Sequence, residues 1–273
     1  MTKPLRMIQI GAGSMGGALL RSWIDAGILD QDASAVVDPR PSPEIETMIR
    51  AAGLHLNPTD DAGYDVCVLA IKPQQFPVVV PGLVWPDIEA TLFLSIAAGV
   101  TADETATLLK SNNPSPRVLR AMPSLPAKIR RGVSLLADHD GLTPDDRAIG
   151  ATLMAAAGAV HWCKDEDQLD GLMGVTACGP AFVFRMVEAL EEAARAQGAD
   201  PEDARVLAAE TVVAASRLLE ADGRDAGALR AAVTSPGGTT AAGLEVLNAR
   251  GLVANVVDAV DAAYRRAKAL ADG

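Results

Sequence analysis

The chain has 273 residues, 49% hydrophobic, 3% aromatic and 22% charged, and its 35 Asp and Glu against 24 Lys and Arg give a net charge of -11. That length holds one large domain or two ordinary ones, and the apolar fraction excludes a disordered chain. An acidic chain with few aromatic residues lacks the Lys/Arg stripes and stacking platforms of a nucleic-acid groove, so no nucleic-acid partner is expected.

Composition then divides the chain. Residues 1–163 hold 14 of the 17 prolines and every isoleucine, whereas residues 164–273 hold 27 of the 50 alanines. Ile favours strands, Ala favours helices, and Pro punctuates loops between short elements. The expectation is a mixed α/β domain over 1–163 and an all-helical domain over 164–273. No apolar run approaches the roughly 20 residues of a membrane helix, and no leader-like segment precedes the first motif. A cytoplasmic protein with reduced thiols and no membrane partner is expected. Cys67, Cys163 and Cys178 lack metal-ligand spacing and read as small buried apolar residues, so no metal site is expected. His55, His139 and His161 lie outside every motif and read as surface or strand-end residues.

In chain order, Leu5 to Ile10 reads as a short strand, and Gly11-Ala12-Gly13-Ser14-Met15-Gly16 follows at once, with helical spacing up to Gly27. This is G-x-G-x-x-G at a strand-to-helix turn, the dinucleotide fingerprint in its required context. Gly11 permits the tight turn, Gly13 leaves room for a pyrophosphate, and Gly16 lets the helix pack close. The helix N-terminus offers free N–H groups to the phosphates. The next strand, Ala33 to Val37, ends at Asp38, 22 residues past Gly16. An acidic residue there accepts from ribose hydroxyls and favours NAD, while Arg40 favours a 2′-phosphate. The two argue in opposite directions; Asp38 would repel a 2′-phosphate, so NADH is expected to compete well with NADPH.

Further strands are read at Tyr64–Ile71, Thr91–Ile96, Arg117–Ala121 and Val133–Ala137. A capping box at Thr101–Glu104 opens a helix to Leu109, and Thr143-Pro144 opens another to Ala157. Alternating strands and helices predict a doubly wound, mainly parallel sheet, with ligands at the strands' carboxyl ends. Those ends are Ala70-Ile71-Lys72-Pro73-Gln74 and Ala97-Ala98-Gly99-Val100. Lys72, one of six lysines, is either a nicotinamide-pocket residue or a solvated loop lysine.

In the second half, Gly179-Pro180 opens a helix to about Gln197, and Asp200-Pro201 caps one that continues to Glu220. In that helix Asp203, Glu210 and Arg217 form one thin polar stripe, so burial nearly all round is expected. A domain of this size cannot supply that burial alone, which predicts a subunit interface and an obligate oligomer. The sharpest feature is Val233-Thr234-Ser235-Pro236-Gly237-Gly238-Thr239-Thr240, with a helix read from Ala241 to Asn248. Four hydroxyls around a double glycine, feeding a helix N-terminus, suit a small carboxylate. Residues 164–273 contain no His, only Lys164 and Lys268 as lysines, and only Tyr264 as tyrosine. Ketone reduction needs a proton donor of that kind. An imine nitrogen can already carry its proton, and a hydroxyl that hydrogen-bonds it would suffice, so a C=N substrate bearing a carboxylate is favoured.

These residues resemble the pyrroline-5-carboxylate reductase family over the whole chain. The similarity runs through Ile8–Gly17, Ala70–Gln74, Ser95–Thr101, Arg117–Pro126, Val175–Phe184 and Thr234–Leu244, the last matching the family's V-x-S-P-G-G-T-T. The resemblance implies a Rossmann domain followed by a helical dimerisation domain, with dimers that often build larger rings. It implies hydride transfer from NADPH or NADH to the C=N of 1-pyrroline-5-carboxylate, giving L-proline. By motif match Thr240 would hydrogen-bond the ring nitrogen, and Ser235 with the N–H groups of Gly238 and Thr239 would hold the carboxylate. Lys72 and Pro73 would lie by the nicotinamide ribose, with Met122 and Pro123 near the cofactor. Departures stand at Ser124-Leu125, at Thr176-Ala177-Cys178, at Phe182 and at Asp38. The competing readings are a reductase of another cyclic imino acid and a non-catalytic dinucleotide-sensing protein of the same fold.

Overall fold

The computed structural model describes residues 3–59, 62–137 and 141–271; His139 lies outside them. Contacts divide the chain into two compact units, Met1–Cys178 with Ala262–Gly273, and Gly179–Asp261.

The first unit is an eight-stranded sheet with helices on both faces. Its elements are β1 (Met7–Ile10), α1 (Ser14–Ala26), β2 (Ala35–Val37), α2 (Pro43–Ala51), β3 (His55–Leu56), β4 (Val66–Leu69), α3 (Phe76–Val79) and β5 (Leu92–Ser95). There follow α4 (Ala102–Leu109), β6 (Arg117–Met122), β7 (Gly132–Ala137), α5 (Pro144–Ala155), β8 (Gly158–Cys163) and α6 (Glu166–Thr176). The strand order is β3-β2-β1-β4-β5-β6-β7-β8. All pairs are parallel except β6 with β7. The order reverses between β1 and β4, so the chain leaves these two strands in opposite directions and a crevice opens above their carboxyl ends.

Buried strands read as continuous apolar runs because both faces are covered. Met7, Val66, Val68, Leu92 and Leu94 pack on one face, against Leu19, Trp23 and Leu153. Ile8, Cys67, Leu69 and Phe93 pack on the other, against Phe76, Trp85 and Leu109. The Trp23 indole N–H donates to the Leu153 carbonyl at 2.7 Å, tying α1 to α5. Cys67 and Cys163 are buried and Cys178 is partly buried. Burial raises the thiol pKa of Cys67 and Cys163, keeping both protonated.

The composition step at residue 163 falls one helix before the first unit ends, because α6 packs on β7. Arg120, 2% exposed on β6, explains why. It donates to Glu166 Oε2 at 2.6 Å and to Asp170 Oδ1 at 2.8 Å, both on α6. Glu166 Oε1 also accepts from the Ala102 N–H at 2.9 Å, so one carboxylate joins β6, α6 and the start of α4. Burial alone would lower the Arg120 pKa, but its two carboxylate partners outweigh that and raise it.

The second unit is helical: α7 (Gly179–Ala196), α8 (Pro201–Asp222), α9 (Ala226–Ala232), α10 (Thr239–Ala249) and the first half of α11 (Leu252–Ala271). α8 was expected to be buried nearly all round; within the chain only Ala204 and Ala208 are. Leu207, Val213 and Leu218 on α8, and Val183, Phe184 and Met186 on α7, are exposed. The stretch Glu166–Ala196 contains an 18-residue segment of mean hydropathy 1.3, long and apolar enough to cross a membrane by length and composition alone. That differs from the sequence expectation because scattered Ala, Gly, Val and Met raise the average without a continuous run. It is two helices, α6 and α7, broken at Ala177 and Cys178.

Candidate active site

The glycine loop is built as the fingerprint requires. Gly11 has φ +90°, and a Cβ there would stand 2.7 Å from the Ala70 carbonyl oxygen. The loop after β1 thus lies directly on the carboxyl end of β4. A Cβ on Gly16 would stand 2.8 Å from the Gly11 carbonyl oxygen and 3.0 Å from Ala70 Cβ, whereas Gly13 faces open space. Gly13 is the N-cap of α1 and supplies no side-chain cap, which leaves the first N–H groups of the helix for an anion. Gln9 was missed by sequence reading, which took β1 as apolar. It is fully buried and donates to the Gly11 carbonyl at 2.7 Å, fixing the first turn from below.

Asp38 at the end of β2 faces this loop. Its Oδ2 accepts from the Ala12 N–H and its Oδ1 from the Arg40 N–H, each at 2.9 Å. Asn57 holds the Asp38 backbone from behind, accepting from its N–H and donating to its carbonyl, both at 2.9 Å. A cavity of about 490 Å³ lies here, bringing together Ala12, Gly13, Ser14, Asp38 and Arg40 with Arg21, Ser42, Glu44 and Lys128. Lys128 comes from the 3-10 turn Leu125–Ile129 after β6, a segment with no nucleotide motif to draw attention to it.

The remaining strand-end residues gather beside it. Lys72 is exposed, its N–H donating to the Gln75 side chain at 3.1 Å. Pro73 and Gly99 line a second groove of about 730 Å³ with Phe76, Val100 and Leu108. Ala97, Met122 and Pro123 are buried. Ser124 is also buried, its Oγ accepting from the Val133 N–H at 2.8 Å. This departure from the family pattern therefore anchors β7.

In the second unit, α10 begins at Thr239, two residues earlier than expected. Gly238 is its N-cap, without a side-chain cap bond, and a glycine N-cap leaves the hydroxyls of Thr239 and Thr240 inside the first turn. Gly237 takes φ +69°, which only glycine adopts readily. The Gly238 N–H donates to the Ser235 carbonyl at 3.0 Å. Thr234 spends its hydroxyl on the Arg230 carbonyl at 2.6 Å. Ser235, Thr239 and Thr240 are exposed. The three possible proton donors of the second half are tied to carboxylates: Tyr264 and Lys268 to Asp167 at 2.8 and 2.7 Å, Lys164 to Asp165 at 3.6 Å.

The cradle of Gly11, Gly13 and Gly16 at the sheet's switch point, with its uncapped helix start and adjoining cavity, fits a dinucleotide. Fold and site together define a two-domain NAD(P)-dependent oxidoreductase. Residues 166–270 match the family model described as pyrroline-5-carboxylate reductase dimerisation, and residues 7–99 match that described as NADP oxidoreductase coenzyme F420-dependent. Pyrroline-5-carboxylate reductase of Methanosarcina acetivorans is 33% identical over 265 residues, covering 96% of each chain. The structure of a pyrroline-5-carboxylate reductase from Coxiella burnetii superposes with TM-score 0.88 at 30% identity, covering 98% of this chain and 99% of that one. The Plasmodium falciparum pyrroline carboxylate reductase, solved with NADP bound, shares the fold with TM-score 0.82 at 22% identity, covering 99% and 100%. The chain belongs to the pyrroline-5-carboxylate reductase family.

Proposed function

We propose that the protein reduces the C=N bond of 1-pyrroline-5-carboxylate to give L-proline, working as a homodimer or a ring of dimers. The observation that carries this is the turn from Ser235 to Thr240, where exposed hydroxyls sit at an uncapped helix start, in a half of the chain whose stronger acids are engaged with carboxylates. When bound, the reduced nicotinamide supplies the hydride to the imine carbon. Gly13, Ser14, Met15 and Gly16 would offer backbone N–H groups to its pyrophosphate over the turn shaped by Gly11 and Ala12, whose own N–H groups are engaged with the Val37 carbonyl and with Asp38, and Asp38 and Arg40 would lie at the adenosine end. Ala70, Lys72, Pro73, Ala97, Gly99, Met122 and Pro123 orient its nicotinamide end. The Thr240 hydroxyl bonds the ring nitrogen and keeps the imine in position. Ser235, the Gly237 turn and the N–H group of Thr239 hold the carboxylate, where the helix dipole favours a negative charge; the Gly238 N–H, expected to join them, is instead spent on the Ser235 carbonyl and closes the turn. No strong acid is needed when the imine binds as its N-protonated iminium form, since hydride addition to carbon then gives the amine directly.

A second copy of the chain covers the exposed apolar faces of α7 and α8, which fits the dimerisation model matched there. The test is nucleotide oxidation followed with 1-pyrroline-5-carboxylate and, for comparison, a six-membered cyclic imine. The five-membered substrate is expected to be turned over with much the higher kcat/KM. A preference for the larger ring would reassign the substrate, and no oxidation with either would overturn the reaction.

A further inference from the structure

β1 buries all of its residues, and Gln9 is the polar one among apolar neighbours. Its Nε2 donates to the Gly11 carbonyl at 2.7 Å, and the reverse orientation of the amide would set two oxygens at that distance. Its Oε1 is buried and has no hydrogen-bond partner among the described residues. An apolar side chain of similar volume would fill this place without leaving a polar atom unpaired, so packing does not account for a glutamine here. The bond that it makes does. The Gly11 carbonyl and the Ala12 N–H belong to one planar trans peptide, so they point opposite ways. The carbonyl accepts from Gln9, and the N–H donates to Asp38 Oδ2 at 2.9 Å. One peptide is thus gripped at both ends. Gly11, at φ +90°, has little conformational preference of its own and does not hold that plane. Turned over, the peptide would aim its carbonyl oxygen at the Asp38 carboxylate and toward the cavity that Ala12 and Asp38 line, where it repels a phosphate. A Cβ on Gly16 would stand 2.9 Å from Gln9 Nε2, so the third glycine of the fingerprint makes room for the amide as well as for the helix.

We infer that Gln9 is a positioning residue for the dinucleotide. From beneath the loop it locks the Gly11–Ala12 peptide with its carbonyl turned away from the pyrophosphate, and it leaves one buried oxygen unpaired in doing so. The inference rests on the reading of the glycine loop as the pyrophosphate cradle, and not on which imine is reduced. With an apolar residue at this position the peptide is held at one end only. The dinucleotide then binds the fraction of molecules in which the peptide is correctly turned, and its apparent affinity falls by that fraction. A buried donor that touches no ligand thereby sets the affinity of the loop above it.

Equilibrium titration of the full-length chain by calorimetry tests this without turnover. Gln9→Met keeps the length of the side chain and removes the amide. It should weaken NADP+, NAD+ and ADP-ribose alike by about five- to tenfold, the size of one lost neutral hydrogen bond, because all three carry the pyrophosphate. Without ligand its thermal midpoint should stay within about 3 °C of wild type, since the unpaired Oε1 goes as the Gly11 carbonyl loses its donor. With 1-pyrroline-5-carboxylate, KM for the nucleotide should rise by the same factor while kcat at saturating nucleotide holds within about twofold. Gln9→Leu repeats the measurement if Gln9→Met packs badly. Because both grips act on one peptide, adding Asp38→Ala to Gln9→Met should weaken binding by less than the product of the two single losses. Unchanged affinity in the apolar variants would overturn the inference. So would a fall in kcat and midpoint that matches the loss of affinity, which would make Gln9 a packing residue, or a double variant whose loss is the full product. If the dinucleotides respond as expected but 1-pyrroline-5-carboxylate is not reduced, the reaction fails and the role of Gln9 stands; reduction with an affinity indifferent to Gln9 gives the reverse.

Discussion

Single residues decide this site because it is made largely of backbone. Gly16 meets two neighbours that cannot retreat, the Gly11 carbonyl and Ala70. Gly16→Ala should therefore open the loop and weaken either dinucleotide by about tenfold or more, an effect of roughly 1.4 kcal/mol, read by the same titration; unchanged affinity would remove the close approach from binding. In the proposed reaction Thr240 acts through one hydroxyl. Thr240→Ala should lower kcat by roughly 10²-fold, while Thr240→Ser keeps the hydroxyl and most of the rate. Steady-state kinetics with the five-membered imine separates these, and near wild-type kcat in the alanine variant would exclude Thr240 from the chemistry. Much of this was legible in the sequence, since glycines with strained φ and hydroxyls around Pro-Gly-Gly leave local signatures. Gln9 and Lys128 left none. One is a polar residue inside an apolar strand and the other a lysine in a turn, and only the fold brings them to the loop.

At the scale of elements, the long periodic segments and the capped helices were readable, and the short or edge elements were not. β3 has two residues, and β8 lies at the sheet edge with partly exposed residues, so neither carries a buried apolar run. α6 was hidden by composition, which placed it with the helical half, whereas Arg120 and its carboxylates fasten it to the sheet. Removing one partner of a buried ion pair leaves the others desolvated and unpaired. Arg120→Ala should cost about 3–5 kcal/mol of stability, measured by urea unfolding, and a loss under about 1 kcal/mol would show that α6 is held by packing alone. A second ion pair sets a pH dependence. Burial pushes the Asp65 carboxyl up, but hydrogen bonds from the Arg6 side chain and backbone outweigh it and hold its pKa below the ordinary 3.8. A depressed folded-state pKa contributes stability that is present above the unfolded value and lost as pH falls through the folded one. Arg6→Met should thus destabilise the protein at pH 7 and differ less from wild type below about pH 4. A difference constant across that range would mean that Arg6 acts by packing.

For the whole molecule, the helical unit sets the terms. Its helices expose Leu207, Val213, Leu218, Val183, Phe184 and Met186, and the burial predicted for α8 from its thin polar stripe is not met inside one chain. Patches of this kind on a folded chain mark a surface that another protein covers. The dimerisation model spans the same residues, which supports the proposal that a second copy covers them. Each large apolar side chain moved from half-exposed to buried contributes on the order of 1 kcal/mol, and several together hold the pair against the entropy of association. Sedimentation should find at least two chains per particle, and the thermal midpoint should rise with protein concentration, because association stabilises only the folded state. Val213→Asp would set a charge in that covered face, and should shift the particle toward one chain and lower the midpoint. Since Val213 is already partly exposed in the isolated chain, this substitution costs the single chain little. A monodisperse single chain with a concentration-independent midpoint in the wild type would show instead that the helical unit tolerates its apolar faces in water.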